Sequence, residues 1–484
     1  MFIETKSRQV ALIISASLAG FMALLDGNIV NISLPYIARY FHVGTGSVVQ
    51  IILVYMVVMA GTMIIFGKLA DKFGVKRVFI SGFVIFTLSS LACGFAGSLT
   101  FLLTARAIQA LGASMLYATG LSLISTFIAP DRRGWAFGIF SPLVSLGLLV
   151  GNPLGGLITG LLNWHWIFLI NVPVGVFAVI LAWKAIPGDK CHTGADVKRN
   201  FDYPGAILSF AGLALLVFCL NQARKIGWTS PVMLVSFPLS ILLLVLFVRR
   251  ERKAPDPILD LTIFSRREYA TGIIISLAGY GLLAGSGVLM PFLLTYVLHI
   301  NVEHAGFILM TFAVIFSAMS PVAGNLSDHV SKTRLMQAGM LLAFVSSLCF
   351  MLLMGNMHLW IVFLFLVMQG IAYAFFITPN NNFIMSVADP GKQSISSSVF
   401  KLSTNLGQMS GIILMEFLFA FAMPAGFSPD GTHAALVTPG NIAAGFSWAY
   451  AGGAGLCLVA LILSATMQDR KIGIASADSE ATLL

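Results

Sequence analysis

The sequence predicts an all-α polytopic membrane protein with fourteen transmembrane helices, and three observations predict it. Hydrophobic residues fill 58% of the 484 positions and charged residues only 10%, a balance that no soluble core of this length requires. Fourteen apolar runs, each near the roughly 20 residues that cross a bilayer as a helix, are separated by short polar turns. The runs are continuous rather than alternating, which excludes a β-barrel, and lipid leaves the helix as the other way to satisfy a spanning backbone.

In order, the runs lie near 10–33, 48–66, 78–96, 100–127, 135–161, 166–186, 204–222, 231–248, 270–294, 304–325, 335–354, 358–387, 396–423 and 441–466. The first follows Lys6 and Arg8 in the manner of a signal peptide, but it is too long for one and carries Asp26, so it reads as an uncleaved helix. The net charge of +9 raises nucleic acid as a partner, and the placement of the basic residues argues against it. With the N-terminus inside, Arg39, Arg224 and Lys225 fall outside and Arg106 within a span. The rest of the 28 Lys and Arg gather on cytoplasmic segments or their helix ends. This is the positive-inside bias of a cell-membrane protein with both termini in the cytoplasm. Cys93, Cys191, Cys219, Cys349 and Cys457 show no metal or redox spacing, and no P-loop or HExxH motif occurs. No cofactor, metal or ATP chemistry follows from these residues, and no nucleophile–base constellation suggests an enzyme.

The chain repeats itself. GKLADKFGVKR, Gly67–Arg77, follows the second run, and GNLSDHVSKTR, Gly324–Arg334, follows the tenth, with Gly, Leu, Asp and the final Arg in register. A repeat across halves marks a transporter built from two similar bundles. The copies stand eight helices apart rather than six, so two helices are inserted between the halves. We therefore expect an N-terminal six-helix bundle over 1–186, a linker with two inserted helices over 187–268, a C-terminal six-helix bundle over 269–466 and a cytoplasmic tail over 467–484.

These residues carry a resemblance. GKLADKFGVKR resembles the helix 2–3 signature of the major facilitator superfamily, and LLDGNIVNISLP, with Asp26, Asn31, Leu34 and Pro35, resembles the helix 1 signature of its fourteen-span drug:proton antiporter branch of multidrug exporters. NWHWIFLINVP, Asn163–Pro173, and PDPILDLTIF, Pro255–Phe264, resemble stretches typical of that branch. The resemblance implies the major facilitator fold and a gating role for Gly67, Asp71, Gly74, Arg77 and Asp328; a topogenic basic loop is the plainer reading. On helix 5, Gly147, Gly151 and Gly155 form a smooth ridge at intervals of four. The branch carries a Gly-Pro pair there followed by two residues and Gly-Gly. Here Asn152 replaces that proline and Pro153 follows it, ahead of Gly155 and Gly156, so the expected kink is rotated.

Acids and arginines inside a span must be paired, neutralised or in touch with water. Asp26, Arg106 and Glu416 are the candidates, and spacing along their helices places all three roughly 9–14 Å below the outer helix ends. Gln109 shares a face with Arg106. We expect Asp26 and Arg106 to pair, directly or through water, and Glu416 to face a central cavity from the other bundle. Gln50, Tyr55, Gln369, Tyr373 and Asn380, with Asn31, either line that cavity or tie helices together; Asn405 and Gln408 are read in the same way. The expected function is secondary active transport, a proton-coupled antiporter exporting lipophilic compounds, cations among them, with small-molecule substrate, protons and lipid as its partners and a monomer as its form. The rivals are a dedicated carrier of one metabolite, lipid or peptide, and a receptor or scaffold that kept the fold and lost transport.

Overall fold

A computed structural model of the chain describes residues 3, 5–129, 132–187, 202–227, 229–254, 264, 266–387, 393–422 and 439–467. The predicted linker stretches 188–201 and 255–263, the second holding most of the motif Pro255–Phe264, and the predicted tail beyond 467 lie outside the described residues. Fourteen long helices are described: α1 Lys6–Tyr40, α2 Gln50–Phe73, α3 Val75–Gly94, α4 Leu99–Phe127, α5 Arg133–Leu161, α6 Asn171–Ala185, α7 Tyr203–Ile226, α8 Pro231–Glu251, α9 Arg267–Tyr296, α10 Val302–His329, α11 Lys332–Leu352, α12 Leu359–Val387, α13 Gln393–Phe421 and α14 Pro439–Ala465. Among the described residues thirteen helices are long and apolar enough to cross a membrane; in α7 the apolar stretch, Pro204–Cys219, is shorter.

Two predicted elements differ in form. The sixth run is broken at Ile170, between the short helix Trp166–Leu169 and α6. Pro173 explains the break: it has no N–H to give the Leu169 carbonyl, and its ring crowds that carbonyl. The segment read as a helix 2–3 loop is mostly helix. α2 runs on to Phe73, and Gly74 alone makes the reversal at φ +100°, a conformation strained for any residue with a Cβ.

The helix pairings repeat at the interval the sequence echo predicts. α1 packs on α5, α4 and α6, α4 on α2 and α3, and α3 on α6; eight helices later α9 packs on α13, α12 and α14, α12 on α10 and α11, and α11 on α14. Between the two sets, α5 meets α10 and α2 meets α13, a reciprocal pair of contacts, with α1 against α9. α7 and α8 pack on each other, and α7 leans on α2 and α13. Arg250 Nε stands 3.2 Å from Asp202 Oδ1, tying the end of α8 to the start of α7, and the Gly205 amide donates to the same carboxylate oxygen at 3.1 Å. The apolar side chains Leu234, Val235 and Leu242 of α8 are left exposed, as a lipid-facing helix requires.

Glycines set the close approaches. Gly147, Gly151 and Gly155 of α5 lie against α1, where a Cβ on any of them would run into Phe21, Asn28 or Ile29. Gly156 lies against the Val302 carbonyl of α10, and Gly306 answers it against the Asn152 carbonyl of α5. Nearby, the Tyr296 hydroxyl donates to the Pro35 carbonyl at 3.3 Å, and the Arg39 guanidinium covers the Tyr296 ring at 5.0 Å. These contacts join the two sets of helices at the end that carries the α1–α2 and α9–α10 connections.

Candidate functional site

The fully buried carboxylate of Asp26, on α1, is held by three side chains from two helices. Arg106 Nη1, on α4, donates to Oδ2 at 2.6 Å; Gln109 Nε2 and Asn171 Nδ2, on α4 and α6, donate to Oδ1 at 3.2 and 3.3 Å. Gln109 Oε1 also accepts from Arg106 Nη1 at 2.7 Å, and its Nε2 donates to Ser90 Oγ at 2.7 Å. The Arg106 guanidinium covers the Tyr55 ring at 4.2 Å. A guanidinium that is 1% exposed is tolerable only with such a set of a counter-charge, acceptors and an aromatic face.

Between the two sets of helices lies a cavity of about 380 Å³. Met56, Met59, Leu283, Met290, Phe312 and Phe316 give it a soft, apolar wall that adapts to varied shapes. Its polar wall residues include Asn28, Asn31, Tyr55, Arg106, Tyr117, Asn152, Ser286, Gln369, Tyr373, Lys401, Asn405 and Gln408. Several are already engaged: Asn28 Nδ2 donates to the Leu24 carbonyl, the Tyr373 hydroxyl to the Gly279 carbonyl, and Gln369 Nε2 to Ser346 and Ser347. Others are not. Asn31 Oδ1, the Tyr55 hydroxyl, Ser286 Oγ, Gln369 Oε1 and Asn405 Nδ2 are buried with no hydrogen-bond partner. Unpaired buried polar atoms are costly, and in a cavity wall they are open to partners from water or a bound molecule.

A Major Facilitator Superfamily profile matches residues 16–411 and 269–473. The chain belongs to this superfamily. Over 444 residues it is 31% identical to the riboflavin transporter RibZ of Clostridioides difficile, covering 92% of this chain and 94% of that one. Over 422 residues it is 28% identical to the multidrug resistance protein Stp of Mycobacterium tuberculosis, covering 87% and 78%. The fold matches that of the bacterial homologue of the human lysosomal transporter Spinster, in an inward-facing, unoccupied structure, with a TM-score of 0.67 at 16% identity over 95% and 96% of the two chains. It is therefore a multi-pass membrane transporter of small molecules, not an enzyme, with relatives in the drug:proton antiporter branch.

Within this superfamily member, several expected site residues stand elsewhere. Asp26 is not a wall residue of the cavity; it meets the cavity through Arg106, which is. Gln109 lies behind the wall with it. Glu416 does not line the cavity either. Ile412 is the last α13 residue on the wall, and one turn further Glu416 stands with its carboxylate beside Gly46 of the short helix Thr45–Val48. Depth along a helix does not fix which neighbour a side chain meets, and here the neighbour is a connection. Gln50, at the start of α2, is not on the wall, and Asn380 Nδ2 donates to Ser276 Oγ at 2.8 Å away from it. Asn31, Tyr55, Gln369 and Tyr373 are on it.

The gating candidates divide. Gly67 and Arg77 flank the reversal at Gly74, while the side chains of Asp71 and Asp328 lie outside those described. On α5, Gly151, Gly155 and Gly156 pack against neighbouring helices, Pro153 lies beside Gly306, and Asn152 reaches the cavity wall. Sequence reasoning missed Asn171, inside the quoted stretch Asn163–Pro173, and Lys401, which it counted as a cytoplasmic helix end. Arg106 and Lys401 are the charged residues of the described wall.

Proposed function

We propose that the chain is a proton-coupled antiporter that exports lipophilic compounds through the central cavity by alternating access. The observation that carries this reading is the Asp26–Arg106 pair, a buried carboxylate bound to a guanidinium that lines the cavity wall. While Asp26 is ionised, Arg106 is held back against it and the cavity offers an apolar body a dry wall. A proton on Asp26 removes the counter-charge; the guanidinium then draws water and takes up space in the cavity, which disfavours the apolar body. Proton and substrate thus exclude each other without touching the same atoms, which is the condition for exchange.

In this reading 1–186 and 269–466 are the rocking bundles, 187–268 links them, and 467–484 is the tail. The basic-residue bias supports cytoplasmic termini, so the end joined by Gly156, Gly306, Tyr296 and Arg39 is the outer one. Purified protein in proteoliposomes with a trapped pH dye tests the exchange. Substrate movement one way is expected to carry protons the other way; substrate movement with no proton movement overturns it.

A dedicated carrier is the second reading, supported by the five unpartnered polar atoms around the cavity and by the similarity to RibZ. A panel of unrelated lipophilic compounds separates the two, since a dedicated carrier responds to one chemical class.

A further inference from the structure

The cavity has two halves of different chemistry, and the one that the Asp26 network does not reach is held by Lys401. Its Nζ donates to the Tyr117 hydroxyl of α4 at 3.0 Å and lies 4.6 Å from the centre of that ring. Among the described residues no carboxylate pairs with it. A lysine ammonium has three donors, and the Tyr117 hydroxyl takes one. One helical turn along α13 from Lys401, on the same face, Asn405 lines the cavity, 3% exposed, with its Nδ2 unpartnered. Two adjacent sets of free donors, one of them charged, fit an acceptor group with two oxygens.

The rest of the wall sharpens the choice. Arg106 is neutralised by Asp26 at 2.6 Å, which leaves the Lys401 ammonium as the unneutralised charge of the described wall. Tyr117 lies eleven residues beyond Arg106 on α4, about 16 Å along the helix axis. A head group on Lys401 is therefore well separated from Arg106, with Leu283, Phe312 and Phe316 among the apolar surface available to a body between them. A cation placed in this cavity meets the unneutralised Lys401 ammonium at low dielectric.

We propose that the cavity takes amphipathic anions, an apolar body ending in a carboxylate or a similar oxyanion, with Lys401 and Asn405 as the head-group site. This rests on the reading of the central cavity as the substrate site and names the substrate class.

The experiment uses the full-length protein in nanodiscs and three probes with one body: 2-naphthoate, 2-naphthamide and 2-naphthylmethylammonium. Affinity is read by equilibrium dialysis against empty nanodiscs. Wild type is expected to bind naphthoate at least about tenfold more tightly than the amide, the low end of what a hydrogen bond to a charged group contributes, and the ammonium probe least. Lys401→Met should erase the naphthoate preference, and Lys401→Arg should keep it. Equal or weaker binding of naphthoate than of either other probe, binding of none of the three, or an undiminished preference in a folded Lys401→Met protein overturns the proposal. Proton exchange is scored separately in wild-type proteoliposomes. Naphthoate binding without proton exchange sinks the antiport reading and leaves the head-group site standing; proton exchange without naphthoate preference does the reverse.

Discussion

Arg106 Nη1 lies 2.6 Å from Asp26 Oδ2, with the two side chains 1% and 0% exposed, and the pair joins α4 to α1 at the back of the cavity wall. Removing one partner strands the other charge away from water. Arg106→Gln alone is therefore expected to destabilise the protein by about 3–5 kcal/mol, whereas adding Asp26→Asn to it recovers much of the loss. Unfolding of the four proteins in a double-mutant cycle measures the coupling. Additive effects of the two substitutions would contradict the pairing.

Tyr55 contributes its ring to Arg106, 4.2 Å from the guanidinium, and leaves its hydroxyl without a partner. Tyr55→Phe is expected to keep stability within about 0.5 kcal/mol of wild type, while Tyr55→Leu loses the cation–π contact, about 0.5–2 kcal/mol. If substrate partners the hydroxyl, Tyr55→Phe raises KM for transport with no change in unfolding midpoint.

Glu416 stands beside Gly46, beyond the last cavity residue of its helix. Glu416→Gln is therefore expected to preserve proton-driven transport in proteoliposomes. Loss of the pH-gradient dependence in this variant would restore Glu416 to the coupling machinery.

Gly156 meets the Val302 carbonyl where α5 and α10 join at one end. Gly156→Val overfills that contact by about 1–3 kcal/mol, enough to shift an equilibrium whose states differ by a few kcal/mol. In a chain whose own cysteines are replaced, Gly287→Cys on the cavity wall is expected to react faster with an impermeant thiol reagent applied to whole cells when Gly156→Val is present. An unchanged rate would show that this contact does not set the closed state.

The helices were legible in the sequence because lipid gives a spanning backbone few alternatives, and the echo of Gly67–Arg77 in Gly324–Arg334 anticipated the recurrence of helix pairings eight helices on. Arg106 was legible because a buried guanidinium demands a carboxylate, and Asp26 lies at the matching depth. Asn171 was not, because its reach to Asp26 depends on the break at Ile170, which turns on the proline three residues later. Lys401 reads in sequence as a topogenic charge near a helix start; only packing against α4 reveals that its ammonium meets Tyr117. Glu416 was misplaced because spacing fixes depth along α13 but not what the neighbouring connection puts there.

In the proposed mechanism Asp26 couples proton movement to substrate movement through Arg106, and Asp26→Asn in proteoliposomes separates the two. The variant stands in for protonated Asp26, so it is expected to bind substrate more weakly than wild type and to lose accumulation driven by an imposed pH gradient. Asp26→Asn protein that accumulates substrate against its gradient as well as wild type does would contradict the account.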